Sequence, residues 1–352
     1  MKYFLSLLFV LSFVIGCGSN DPGGNPVSTD PSTSGEETKG IVMLRYTPGS
    51  QSTEQREEGF LDTILKDYPQ IEVLSDDQYA GTTEDSSLDK AQQILNKYGD
   101  NITGIFAVCE PNANGVLHAL EEVDKAGTIK FMGFDPNARM VQALEDKKMD
   151  GIVLQDPVMM GYLAVKTMTA HLNGEKVDKR VSTGEAVATP ANMTSDRMSE
   201  LLSPEKLKDS AAQPEKPKYR IAVIPKGTTH EFWQSVHYGA QKAADEAGNV
   251  EIIWIGPQQE SDRESQINIV QNFITQKVDG ICLAPLDSQA LVAVVKEAKE
   301  AGIPTVAFDS GLDDKDAIIS YVATDNYNGG VEAAHALAEA LGHTRPEKST
   351  EE

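Results

Sequence analysis

The chain is short of positive charge. Against 54 Asp and Glu stand 31 Lys and Arg, a formal net charge of −23 over 352 residues. A nucleic-acid surface needs clustered cations to displace counterions, and no concentrated basic face is visible, so nucleic acid is excluded as a partner. Cysteine is scarce as well, with 3 in all. A disulfide framework or a metal site would need more thiols at closer spacing. Cys109 and Cys282 each lie inside an apolar, strand-like run, GIFAVC and GICLAP, and read as small buried hydrophobes. Catalytic signatures are also missing: there is no GxSxG elbow, no HExxH, no phosphate-cradling GxxxxGK and no dinucleotide fingerprint. No metal or organic cofactor is expected.

What is there begins with MKYFLSLLFVLSFVIGC, where Lys2 precedes an apolar run from Phe4 to Ile15. The run is too short to span a bilayer comfortably and reads as a secretory signal. Val14-Ile15-Gly16-Cys17 resembles the lipobox of bacterial lipoproteins, which implies cleavage before Cys17 and its lipidation. The following GSNDPGGNPVSTDPSTSGEE is too rich in Gly, Pro, Ser and Asp to bury apolar surface, and is expected to be a tether.

From Gly40 onward, short β-branched runs alternate with amphipathic stretches. IVMLRY, IEVLS, GIFAVC, IKFMGF and GIVLQ read as strands, with helices between them, and PVMMGYLAVKTMTAHLNG follows as a longer helix. This βαβ rhythm implies a parallel sheet. A Ser-, Pro- and Lys-rich stretch, roughly 201–218, interrupts it like a linker. The rhythm then restarts with YRIAVIP, a helix from about Glu231 to Ala247, VEIIWI, GICLAP and PTVAFD, and closes on AIISYVATDN and the helix NGGVEAAHALAEALG. The fold class read from this pattern is α/β, with two Rossmann-like doubly wound lobes.

The second block, on IAVIPKGTTHEFWQSVHYGAQKAADEAG, VDGICLAPLDSQAL, AGIPTVAFDSG and VATDNYNGGVEAA, resembles the N-terminal half of the ribose-binding-protein family, the type I periplasmic binding proteins of sugar ABC transporters. The first block, on GSQSTEQREEGF, GIFAVCEPNANGVLHAL, MGFDPNARMVQAL and IVLQDPVMMGYLAVKTMTAHLNGEKV, resembles that family's C-terminal half. The halves stand in reversed order, which implies a circularly permuted binding protein; two half-proteins swapping lobes in an obligate dimer is the competing structure. The resemblance implies hinges near Thr324-Asp325, Gln155-Asp156 and Ser182-Gly184. It divides the chain into a signal at 1–16, the lipidated Cys17 and tether at 17–39, and a lobe made of 40–156 with 326–342 that matches the family's C-terminal lobe. A second lobe, 157–183 with 219–325, matches the N-terminal lobe, leaving 184–218 as C-terminal segment and permutation linker and 343–352 as a frayed tail.

Sugar recognition asks for planar carboxylate, amide and guanidinium groups that satisfy several hydroxyls, with aromatic faces over the C–H side of the ring. By resemblance, Phe232 and Trp233 are the aromatic pair that sandwiches the sugar; the other reading is that they staple the following helix to the core. Lys226 and His230 share their loop, either as polar ligands or as solvated surface groups. Asp309 matches a hydroxyl-binding aspartate, but Ser310 stands where much of the family has arginine. Arg56, Asp135 and Gln155 match polar ligands of the other lobe, and Asp325 matches the hinge aspartate, where turn capping is the alternative. An ion pair of Arg56 with Glu57 or Glu58 is disfavoured, since adjacent helical positions do not face each other. Cys109 replaces the family's asparagine, so Glu110 or Asn112 is a candidate for the missing polarity; Tyr79 either contributes an aromatic face or packs.

The resemblance implies a monomeric lipoprotein of the periplasm or cell envelope, anchored to a membrane by lipid, which captures a monosaccharide or polyol between hinged lobes and hands it to an ABC permease. A sensor presenting the ligand to a membrane receptor is the alternative within the same fold. An enzyme using Asp135 and Asp309 as a carboxylate pair across the cleft is the alternative from another class.

Overall fold

The computed structural model describes residues 38–204 and 216–347, so the signal, Cys17, most of the tether and the middle of the linker lie outside the described residues. In chain order, β1 (Gly40–Arg45), α1 (Gln51–Asp67), β2 (Glu72–Tyr79), α2 (Glu84–Tyr98), β3 (Ile102–Ala107), α3 (Glu110–Glu122), β4 (Lys130–Phe134), α4 (Ala138–Glu145) and β5 (Gly151–Leu154) alternate strictly. Then come α5 (Pro157–Leu172), β6 (Arg180–Ser182), β7 (Ala186–Ala188) and α6 (Asp196–Leu202). The last part holds β8 (Tyr219–Ile224), α7 (Glu231–Ala247), β9 (Val250–Trp254), α8 (Arg263–Gln276), β10 (Gly280–Leu283), α9 (Val292–Glu300), β11 (Thr305–Phe308), β12 (Ser320–Ala323) and α10 (Asn326–Ala340).

Two sheets result, ordered β2-β1-β3-β4-β5-β7 and β9-β8-β10-β11-β12-β6. Each therefore carries the same doubly wound order over five parallel strands, and they differ in the sixth: β7 joins antiparallel to β5, whereas β6 joins parallel to β12. The α/β, two-lobed class read from the sequence is the one observed.

Strand alternation explains the packing. In β1, Val42 and Leu44 face one core with α2, α3 and α4, whereas Ile41 and Met43 face another with α1 and α10. In β8, Ile221 and Val223 pack with α5 and α7, and Ala222 and Ile224 with α8 and α9. Both faces of each sheet are covered, as strands in parallel sheets require. Cys282 packs in one of these cores with its Sγ 3.6 Å from the Ala164 carbonyl, consistent with a small hydrophobe.

The chain passes between lobes where β5 leads into α5, where β6 leads into β7, and where β12 leads into α10. The last two are tied together: Thr183 N–H donates to the Ala323 carbonyl at 3.1 Å, and Thr183 and Thr324 hydroxyls meet at 3.3 Å. Arg180 stacks over Tyr321 and donates to the Ala323 and Thr324 carbonyls at 2.7 and 2.8 Å.

Two sequence expectations need correction. The linker does not start at 201, because Leu201 and Leu202 end α6 and are buried against the first lobe. Nor is the tail free from its first residue. Arg345 makes a two-pronged ion pair with Glu332, and the His343 ring meets the Gln70 amide at 3.2 Å.

Candidate functional site

Parallel strands aim their carboxyl ends at one edge, and here the two sheets bring those edges together. Asp135 follows β4 and Asp309 follows β11 in equivalent places. Both adopt left-handed backbone, at φ 61° and 62°, and each donates its N–H to the next strand, to Val153 and Val322. Aspartate tolerates this region better than most residues, and such strain gathers at functional sites.

Around Asp309 a buried ion pair forms. Lys226 Nζ lies 2.7 Å from Asp309 Oδ2 and reaches across the cleft to the hydroxyls of Ser50 and Ser52, at 3.2 and 3.0 Å. The Ser52 N–H, in the first turn of α1, donates to Ser310 Oγ at 3.2 Å, and Ser310 Oγ lies 3.2 Å from Asp309 Oδ2. The positive end of α1 thus abuts the opposite lobe's aspartate. Lys226 is buried, so the reading of it as a solvated surface group is excluded. It supplies, from the loop after β8, the cation that Ser310 does not.

Around Asp135 the partners are Gln155 and Arg56. The Gln155 amide donates to both carboxylate oxygens, at 3.0 and 3.1 Å, and Arg56 Nη1 lies 3.5 Å away. Arg56 also donates to the Val108 carbonyl and Asn326 Oδ1 and stacks over Phe134, 3.7 Å from its ring centre. It is held inside the lobe, with no ion pair to Glu57, which pairs with Arg45 instead. Burial raises the Asp135 carboxyl to about 6 although Arg56 and Gln155 favour its charge.

A third cluster centres on Glu260, in the loop after β9. Its carboxylate accepts from Trp233 Nε1 and pairs with His230 Nδ1, both at 2.6 Å, and accepts from the Tyr46 hydroxyl of the other lobe at 2.7 Å. Burial works against the charge of Glu260, yet His230, Lys226 and Trp233 outweigh it and bring the carboxyl down to about 2. Burial likewise opposes the charge of His230, and Glu260 reverses this, raising the imidazole above its ordinary value.

Between these clusters is a cavity of about 40 Å³ lined by Arg56, Cys109, Asp135, Lys226, His230, Phe232, Trp233 and Asp309 among others. Of the sequence candidates, those eight and Glu110 line it, while Gln155 and Ser310 stand behind Asp135 and Asp309. Trp233 also packs into its lobe's core and stacks edge-on with Phe232, so it serves as staple and cavity wall together. Asp325 is exposed, caps α10 through the Asn328 N–H, and is not in the cavity. Asn112 turns away to Ser87 and the Gly81 carbonyl, and Tyr79 is an exposed residue under Arg45. Burial raises the Cys109 thiol, leaving it neutral.

Sequence reasoning missed Tyr46, Ser50, Ser52 and Glu260. Tyr46 directly follows β1 and Ser50 and Ser52 open α1, and that strand-to-helix position was the signal available. Glu260 sits in PQQESDRES, which carries none. A groove of about 750 Å³ between α4 and α7 shares Asp135 and Phe232 with the lining of the cavity.

Comparison with known proteins agrees with this arrangement. The family described as periplasmic binding protein domain matches residues 31–176 and 221–347. A D-ribose/D-allose-binding protein of Pseudomonas aeruginosa is 38% identical over 137 residues, 37% of this chain and 42% of that protein. A ribose import binding protein of Bacillus subtilis is 30% identical over 127 residues, 36% of this chain and 40% of its own length. The chain thus aligns with only about two fifths of these relatives. Among solved structures, an ABC transporter solute-binding protein of Bacillus halodurans with bound myo-inositol superposes with a TM-score of 0.59 at 11% identity, covering 88% of this chain and 91% of that one. One from Actinobacillus succinogenes with bound D-allose gives 0.56 at 16% identity, covering 88% and 94%. At these identities the superpositions establish the fold.

Proposed function

Starting from a chain that belongs to the periplasmic binding protein domain family, we propose that it captures a neutral monosaccharide or polyol between its lobes, and that it releases this ligand to an ABC permease without transforming it. The observation that carries the reading is the pattern of unspent hydrogen-bonding capacity. In the cavity wall Glu110 Oε2 is buried without a partner, and behind Asp135 so is Gln155 Oε1, whereas Arg56, Lys226 and His230 are each paired with a carboxylate. Buried acceptors left open call for a ligand that donates, and a hydroxyl-rich molecule does. The two candidate carboxylates for glycoside hydrolysis are occupied, Asp135 by Gln155 and Asp309 by Lys226, which favours binding over turnover.

The same reading places the protein as a lipid-anchored monomer at the cell envelope through Cys17. It treats the order of the halves as a circular permutation. Two features support the permutation. Relatives at 30–38% identity align with one stretch covering about two fifths of each chain, as a rearranged relative would in colinear alignment. The lobes also share one strand order, so a superposition across the whole chain can lay each lobe on the other's counterpart at low identity.

Thermal unfolding with D-ribose, D-allose, D-arabinose, D-xylose and myo-inositol tests the function. A ligand at a hundred times its Kd stabilises by about 2.7 kcal/mol and lifts Tm by several degrees. No shift with any hydroxylated ligand sinks the binding reading, and hydrolysis of a nitrophenyl glycoside sinks the non-enzymatic one.

A further inference from the structure

Three cations and four acidic side chains line the cavity. Arg56 faces Asp135 at 3.5 Å, Lys226 faces Asp309 at 2.7 Å, and His230 faces Glu260 at 2.6 Å. Glu110 is left over. It occupies the first turn of α3, next to the Cys109 N-cap, and its side chain lines the cavity. Among the described residues it has no ion pair, and its Oε2 is buried with no hydrogen-bond partner. Buried carboxyl oxygens are seldom left unmatched, because desolvation without a partner costs about 1–3 kcal/mol. Cys109, at the position where resemblance expects a polar amide, presents a neutral thiol, so Glu110 is the polar group that this stretch contributes.

We propose that Glu110 contacts the ligand directly: its free carboxylate oxygen accepts a ligand hydroxyl, so the polyol binds to the ionised side chain and is held more tightly in mildly alkaline than in mildly acidic medium. This rests on the polyol-binding reading above and names the residue and the condition that set its affinity. The groups facing Glu110 are His230 in the loop before α7, Glu231 at the start of α7, Asp135 after β4, and Asn137 at the N-cap of α4. Burial is the dominant influence and lifts the carboxyl to about 7, His230 and Asn137 work in the opposite direction, and Asp135 and Glu231 add to the rise. Protonation turns one carboxyl oxygen into a donor and weakens the other as an acceptor, whereas ionisation leaves both as strong, charged acceptors for a ligand hydroxyl. With one group titrating at about 7, affinity rises about tenfold from pH 6 to pH 8.

Isothermal calorimetry on the whole protein decides it, with whichever of D-ribose, D-allose, D-arabinose, D-xylose and myo-inositol binds the wild type at pH 8. The wild type is expected to gain about tenfold in affinity between pH 6 and pH 8. Runs in phosphate and Tris at pH 7 are expected to report release of about half a proton on binding. Glu110→Gln keeps the shape and removes the titration. It is expected to bind at least about tenfold more weakly at pH 8, with a flatter pH profile whose residue comes from Asp135 and His230. Equal affinity of Glu110→Gln and wild type at pH 8, or no proton release by the wild type, overturns the proposal and leaves the polyol reading intact. Binding of none of the five sugars overturns both. Should Glu110→Gln fail to fold, the wild-type proton release alone decides.

Discussion

Glu260 draws three aromatic side chains from two lobes onto one carboxylate, and the charge it carries has a readable consequence for stability. Unfolded, it ionises near its ordinary 4.5 and folded at about 2, so its contribution is complete above 4.5 and is lost as pH falls through 2. His230 is raised above its ordinary 6.5; its contribution is complete below 6.5 and is lost as pH climbs past the folded value. Together they stabilise most between 4.5 and 6.5. Glu260→Gln should therefore cost about 2 kcal/mol at pH 5.5 and progressively less toward pH 9, measured as urea midpoints across pH. A deficit that is flat with pH would show that the His230 contact carries no charge. At this scale legibility was uneven. Asp135, Asp309 and Lys226 stand at the ends of apolar runs, where a polar residue is conspicuous. Glu260 stands among Gln, Ser and Asp in a loop that local pattern reads as solvated, and its partners Tyr46, His230 and Trp233 come from distant positions, Tyr46 more than two hundred residues away.

Helix placement depends on glycines at two crossings, one in each lobe. A Cβ on Gly239 of α7 would lie 1.9 Å from the Val158 carbonyl oxygen, and one on Gly161 of α5 would lie 2.0 Å from that of Val236. The counterpart pair is Gly59 of α1, 2.1 Å from the Tyr327 oxygen, and Gly330 of α10, 2.1 Å from the Arg56 oxygen. In both lobes the helix arriving from the other lobe thus lies directly against the helix that follows the first strand. Backbone cannot yield as a flexible side chain does, so the methyl group of Gly239→Ala must push α5 and α7 apart. We expect a loss of about 3 kcal/mol in stability, read from denaturant unfolding, and an unchanged denaturant midpoint would refute the close crossing. Long elements such as α5 and α7 were legible from apolar periodicity. β6, β7 and α6 were not: segments of 3, 3 and 7 residues are too short to show a period, and β7 pairs against the direction of its sheet. β2 runs past its apolar start through SDDQY to Tyr79, because an edge strand tolerates polar residues that a central one would exclude.

The positions of the ends relative to the cleft make a rearranged chain order physically tolerable. Tyr46, Cys109, Asp135, Lys226 and Asp309 all follow the carboxyl ends of their strands. The described chain starts just before the amino end of β1 and stops after the carboxyl end of α10, and both belong to the same lobe. Helix-to-strand connections lie at the edge opposite the carboxyl ends of the strands, so a break between α10 and β1 removes no cavity residue. Nor does it disturb the crossings between lobes at 155–156, 182–184 and 324–325, of which the last two are held together by Thr183 with Ala323 and Thr324. Contact order changes, but the native contacts do not, and exposed connections generally tolerate such breaks. A chain in which residues 216–347 come first and are joined by a short Gly-Ser linker to 38–204 should therefore fold to the same two lobes. Its circular dichroism should match that of the parent and its Tm should fall within a few degrees. It should also bind the same sugar with Kd within about threefold, because every cleft residue keeps its neighbours. Parallel calorimetry on both chains makes the comparison. A reordered chain that folds but does not bind would mean that the present order holds the lobes in register, and would overturn the permutation.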